Sequence, residues 1–171
     1  MATALPIGSI ADCYAQALLV EREAAARCLE FAEFLDERGD TANAGLFHKL
    51  ARNEARHADE LVRRSAGLPL PPLSSWHFNW LDDAPPGQVS HELIFHLMTP
   101  YDALKIALGA ERSAKALFER TAASAADAGT RRLARELAQE ESEHIGWIEE
   151  ALAHTPKPLA FDENGAGLFV P

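Results

Sequence analysis

The sequence predicts an all-α chain, a four-helix bundle made of two antiparallel helical hairpins joined by a long crossover. Three observations predict it. Apolar residues recur at three- and four-residue spacing over four long stretches, which is the signature of amphipathic helices. Half of the prolines fall in one block, residues 66 to 98, between the second stretch and the third. The two halves also repeat each other. Glu21-Arg22-Glu23-Ala24-Ala25-Ala26 matches Glu111-Arg112-Ser113-Ala114-Lys115-Ala116. Leu50-Ala51-Arg52-Asn53-Glu54-Ala55-Arg56-His57 matches Leu137-Ala138-Gln139-Glu140-Glu141-Ser142-Glu143-His144.

The first helix is expected from Ser9, an N-cap residue, to about Arg38, where Gly39 stops it. The second starts at Asp40 or Thr41 and runs to about Ser65, with Gly67, Pro69, Pro71 and Pro72 preventing continuation. The crossover that follows carries Trp76, Phe78 and Trp80, and residues 90 to 98 suggest a short helix within it. Thr99-Pro100 reads as an N-cap followed by a first-turn proline, with Asp102 three residues after the cap. The third helix is expected to reach about Asp127. Gly129-Thr130 reads as a tight turn, and the fourth helix covers about 131 to 154, ended by Pro156 and Pro158. The tail, 155 to 171, reads as irregular. Short links at both hairpins make each pair antiparallel, and the long segment lets the third helix begin at the other end of the bundle. All 171 residues are read as one domain.

Composition narrows the class. Apolar residues make up 47% of the chain, enough to bury a core without staples. A net charge of -10 argues against a nucleic-acid surface. No secretory signal and no run of about 18 apolar residues is visible, so the expectation is a cytoplasmic protein that does not enter a membrane. Cys13 and Cys28 fall on one helix, about 22 Å apart at 1.5 Å per residue, so they cannot bridge each other.

The inward stripes carry the chemistry. They are Tyr14, Ala17, Glu21, Ala24, Cys28, Phe31 and Leu35 on the first helix, and Phe47, Leu50, Glu54, His57 and Leu61 on the second. The third has Leu104, Ala107, Glu111, Ala114 and Phe118; the fourth has Leu137, Glu141, His144, Ile148 and Ala151. A carboxylate in an apolar stripe must be paired, protonated or metal-bound, because burying it alone is costly. Here each helix places an acid, or an acid and an imidazole, near its middle. Four carboxylates and two imidazoles on four helices form the ligand set of a dinuclear metal site. Glu54 and Glu141 are expected to bridge, with Glu21 and His57 on one metal and Glu111 and His144 on the other. Mixed carboxylate and imidazole ligation suits iron or manganese, so the expected cofactor is two such ions, with iron, manganese or a mixed pair all open at this point. Glu140 competes with Glu141, being four residues before His144, but the repeat favours Glu141. Cys28 reads as a core residue, Tyr14 as a core or outer-shell residue, and Trp147 as packing. His48, His77, His91, His96 and His154 read as surface or capping residues.

The pattern of Glu21, then Glu54 and His57, then Glu111, then Glu141 and His144 resembles the ferritin-like superfamily, and within it the rubrerythrin group. The resemblance covers residues 10–65 and 100–153. It implies a non-haem di-iron centre reacting with hydrogen peroxide or dioxygen, and carries the ligand role to those six residues. The chain departs from rubrerythrins in three places. It has no paired Cys-x-x-Cys, so electrons are expected from a separate donor protein. Ala114-Lys115 stands where an extra metal-binding glutamate is found. Cys28 and Phe118 replace aromatic hydroxyls. Family analogy implies a homodimer. The alternatives are ferroxidase and iron handling, a di-iron hydroxylase, and a bundle whose metal serves stability alone.

Overall fold

A computed structural model describes residues 7–72 and 98–158, together with the backbone of 160–161 and 167–168. Its helices are α1 (Ile10–Glu37), α2 (Thr41–Arg64), α3 (Pro100–Ser124) and α4 (Ala128–His154). Local chemistry explains each boundary. Ser9 lies in extended backbone and its hydroxyl accepts the Asp12 N–H, 3.2 Å away. Gly39 ends α1 with φ +75°, a conformation that favours glycine. Asp40 then caps α2 by accepting the Asn43 N–H at 3.1 Å. At α3 the expected capping box is present: Thr99 accepts the Asp102 N–H, and Asp102 accepts the Thr99 N–H at 2.9 Å.

The link between α3 and α4 differs from expectation. α3 stops at Ser124 and α4 starts at Ala128, each about three residues earlier than the sequence suggests. Asp127 is the reason. It does not end the third helix; it caps the fourth, accepting the Thr130 N–H at 2.8 Å and the Thr130 hydroxyl at 2.6 Å. Gly129 and Thr130 therefore sit in the first turn of α4. Arg131 donates to the carbonyls of Ala125 and Ala126, satisfying the link itself. In the tail, Ala160 pairs with Leu168 and Phe161 with Gly167 as two-residue antiparallel strands β1 and β2, where an irregular course was expected. The crossover aromatics Trp76, Phe78 and Trp80, the suggested helix at 90–98 apart from Met98, and His77, His91 and His96 lie outside the described residues.

Helices pack mainly within their hairpins, α1 on α2 and α3 on α4. The buried apolar residues form two clusters rather than one. The upper cluster holds Phe31, Leu35, Phe47, Leu50, Leu104 and Ile148; the lower holds Ala17, Leu61, Phe118, Leu133 and Leu137. Following the chain through them gives the direction of each helix. α1 and α4 run from the lower cluster to the upper, and α2 and α3 run the other way. Reaching that arrangement from the lower end of α2 requires a connection spanning the bundle's length. A four-helix bundle with one long crossover is the ferritin-like topology.

Candidate metal centre

Between the two apolar clusters lies a polar layer built from one turn of each helix. Glu21 comes from α1, Glu54 and His57 from α2, Glu111 from α3, and Glu141 and His144 from α4. All six are buried, the four carboxylates at 3% exposure or less. The apolar stripes force this. On each stripe an apolar residue three or four positions to either side of the glutamate packs into a cluster: Ala17 and Ala24 for Glu21, Leu50 and Ala58 for Glu54, Ala107 and Ala114 for Glu111, Leu137 and Ile145 for Glu141, so the acid on the same stripe must face inward. Ala17, Ala24, Ala107 and Ala114 flank the glutamates and are themselves buried, which leaves space at this level.

These six, together with Glu140, gather in two groups that a third grouping joins. In the first, His144 Nδ1 lies 2.8 Å from Glu54 Oε1, 3.4 Å from Glu111 Oε2 and 3.8 Å from Glu141 Oε2. In the second, His57 Nδ1 lies 3.5 Å from Glu21 Oε2 and 3.8 Å from Glu140 Oε2. Glu54 joins the two, because it also groups with His57 and His144. The imidazole rings stack with centroids 5.6 Å apart. Glu141 stands with Glu111 and His144, and Glu140 stands with Glu21 and His57. Sequence reasoning set Glu140 aside; it treated Glu140 and Glu141 as rivals for one place, whereas they face different groups.

Glu21 Oε2, Glu54 Oε1, His57 Nδ1, Glu111 Oε1 and His144 Nδ1 are all buried without a hydrogen-bond partner. The 2.8 Å approach of His144 to Glu54 is close enough for a hydrogen bond but is not aligned as one. Folded proteins seldom leave such atoms orphaned, since each costs about 1–3 kcal/mol. Five converging on one space, all oxygen or imidazole nitrogen, fit a cation of the iron or manganese type. These groups can therefore bind metal ions.

The electrostatics agree. Burial pushes the Glu54 carboxyl well above the usual carboxylate range, and the charges of Glu111 and Glu21 push it further, against an opposing contact with His144. Burial also raises Glu141, followed by the charge of Glu111. Burial works against a charged His144 imidazole, but Glu111, Glu141 and Glu54 outweigh it and raise its pKa. A space this dry and this acidic favours either bound protons or bound cations.

Neighbouring residues take distinct parts. Arg56 approaches His57 Nε2 at 3.3 Å. A guanidinium only donates, so this contact suits the tautomer with a bare Nε2, whereas ligation through Nδ1 requires the other tautomer and the loss of the contact. Trp147, read from sequence as packing, touches the His144 ring at 5.2 Å and carries Lys49 over its own ring at 3.3 Å. Its position three residues after His144, on the same helix face, was the available signal. Cys28 is a fully buried free thiol in the upper cluster, held protonated by burial and then by the charges of Glu111, Glu54 and Glu141. Tyr14 belongs to the lower cluster and meets the Arg64 side chain near Glu136, which places it at the helix end and away from the polar layer. His48 pairs with Asp36 at 2.8 Å and His154 contacts the Glu150 carbonyl, both outside the layer.

Fold and site together define a class: a four-helix bundle of two antiparallel hairpins with a buried glutamate and histidine layer able to hold metal. The chain is similar to COG1633, an uncharacterized conserved protein from Magnetospirillum magnetotacticum MS-1 whose crystal structure is solved. The two share 34% identity over 88% of this chain and 97% of that one, with a TM-score of 0.76. This chain belongs to that COG1633 family of conserved proteins. No protein-family model and no curated protein matches it.

Proposed function

We propose that this chain is a ferritin-like, non-haem di-iron carboxylate protein of the rubrerythrin type, an oxidoreductase that reduces hydrogen peroxide or activates dioxygen. The convergence of orphaned, buried carboxylate oxygens and imidazole nitrogens on one space carries the reading. Glu21 and His57 would hold one ion and Glu111, Glu141 and His144 the other, with Glu54 standing between the two groups. The four carboxylates carry four negative charges, which two divalent cations cancel. That cancellation is why four acids tolerate a layer closed above and below by apolar side chains. When bound, iron supplies the electrons and the Lewis acidity that cleave the O–O bond. The protein holds the ligands in register, since each sits on a helix whose neighbouring turns are locked in the core. The apolar layers above and below limit water at the site. Electrons come from a separate donor protein, and the working unit is a homodimer.

The test is anaerobic ferrous titration of the metal-free protein, followed by stopped-flow mixing with peroxide and, separately, with dioxygen. Two irons per chain, oxidised faster by peroxide than by dioxygen, is the expected result. Faster reaction with dioxygen, or uptake well beyond two irons by a large assembly, would move the assignment to an oxygenase or a ferroxidase. No stoichiometric binding would overturn the centre.

A further inference from the structure

The two halves of the polar layer are unequal, and Glu140 is the reason. Glu54, Glu111, Glu141 and His144 are closed off, each side chain 3% exposed or less. The other group is Glu21, His57 and Glu140, and the Glu140 side chain is 38% exposed. Glu140 lies in the seam between α2 and α4. One turn before it, Glu136 on α4 pairs with Arg64 on α2 at 2.6 Å and ties that seam together. Glu140 itself has no lysine or arginine within ion-pair distance among the described residues, and its partner is His57 Nδ1 at 3.8 Å. That nitrogen and Glu21 Oε2, both at least nine-tenths buried, have no hydrogen-bond partner and face the same space. A carboxylate oxygen, an imidazole nitrogen and a second carboxylate oxygen lie within 4.8 Å of one another, the chemistry of a hard-to-borderline divalent cation.

We propose that Glu140 is a seventh metal ligand, completing the Glu21 and His57 position from the α4 side and making it the solvent-facing, exchangeable position of the pair. The proposal rests on the dinuclear reading above. A closed position releases its ion only when the bundle opens. A position with one ligand in contact with water exchanges its ion by movement of that side chain alone.

Cobalt(II) serves as the probe, titrated anaerobically into the full-length metal-free chain and followed by calorimetry and visible absorption. Chelator-driven release is followed in the loaded protein. The variants are Glu140→Gln, which keeps the shape and removes the charge, and Glu143→Gln, a neighbouring exposed acid, as the control. Wild type and Glu143→Gln are expected to bind two ions and release them in a fast and a slow phase. Glu140→Gln is expected to keep the tight, slowly released ion and to bind the other with a loss of at least the roughly 10–100-fold seen for lost outer-shell partners. Two ions of wild-type affinity in Glu140→Gln would overturn the role of Glu140 and leave the dinuclear reading intact. A single release phase in wild type would overturn the inequality of the positions. Failure of the wild type to bind two ions would overturn the dinuclear reading, and this inference with it. Helical content by circular dichroism confirms that Glu140→Gln folds, as its partial exposure leads one to expect.

Discussion

Glu54 meets Glu111, Glu21 and His144 in a space closed to water, and it is the residue whose removal separates the two halves of the layer. Glu54→Ala is expected to lower cobalt(II) stoichiometry from two ions per chain to at most one; two ions retained would remove Glu54 as the shared ligand. The raised carboxyls also give the metal-free protein a pH signature. A folded-state pKa above the unfolded value means that the native state holds more protons than the unfolded chain, so stability falls as pH rises between those values. For Glu54 and Glu141 the contribution is full below the unfolded carboxylate value, about 4.3 for glutamate, and is lost as pH rises through their raised native values. His144 is also raised and acts in the same direction above its unfolded value. The melting temperature of the chelator-treated protein is therefore expected to fall between about pH 5 and 8. A flat or rising profile would contradict the carboxyl shifts.

Each helix depends on its ends as well as its inward stripe. Thr99 and Asp102 satisfy each other's backbone at the start of α3, directly after the crossover. Thr99→Ala removes the hydroxyl acceptor of the Asp102 N–H and is expected to cost about 1 kcal/mol in urea unfolding. Asp102 still caps the Thr99 N–H, which keeps the loss modest. The contact between α1 and α2 near the hairpin turn is a different matter. Phe47 is fully buried, with its ring 5.2 Å from that of Phe31. Phe47→Ala is expected to cost about 3–5 kcal/mol, the range for a large core truncation. A loss below 1 kcal/mol would mean that the upper cluster repacks around the cavity.

At the scale of the whole molecule, an acidic layer divides the core in two. Without cations it works against the two apolar layers that hold the helices around it. Loading should therefore stabilise the fold as well as enable chemistry. Binding to the native state alone contributes about 2.7 kcal/mol per site at a hundredfold excess over Kd. For a chain of this size each kcal/mol raises Tm by roughly 2–4 °C. Manganese(II) or anaerobic iron(II) is expected to raise the Tm, and a chelator to reverse the rise. An unchanged Tm at saturating metal would separate the layer from folding. Among the described residues no helix is long and apolar enough to cross a membrane.

The four inward stripes, the caps at Ser9 and Thr99, the stop at Gly39 and the six acids and imidazoles of the repeat were legible in the sequence. Each follows from helical periodicity or from hydrogen bonds that close within four residues. The link at 125–127 was misread because aspartate serves a helix interior poorly but a cap well, and only the backbone shows which end it serves. The partition of the layer could not be read at all. Glu140 and Glu141 are neighbours in sequence, yet α4 turns one towards Glu21 and His57 and the other towards Glu111 and His144. The packing of α2 against α4 decided which space each entered. The contact of Trp147 with His144 and the stacking of the two imidazoles were likewise fixed by tertiary structure. Periodicity states which face a residue occupies; distances between faces exist only once the helices have packed.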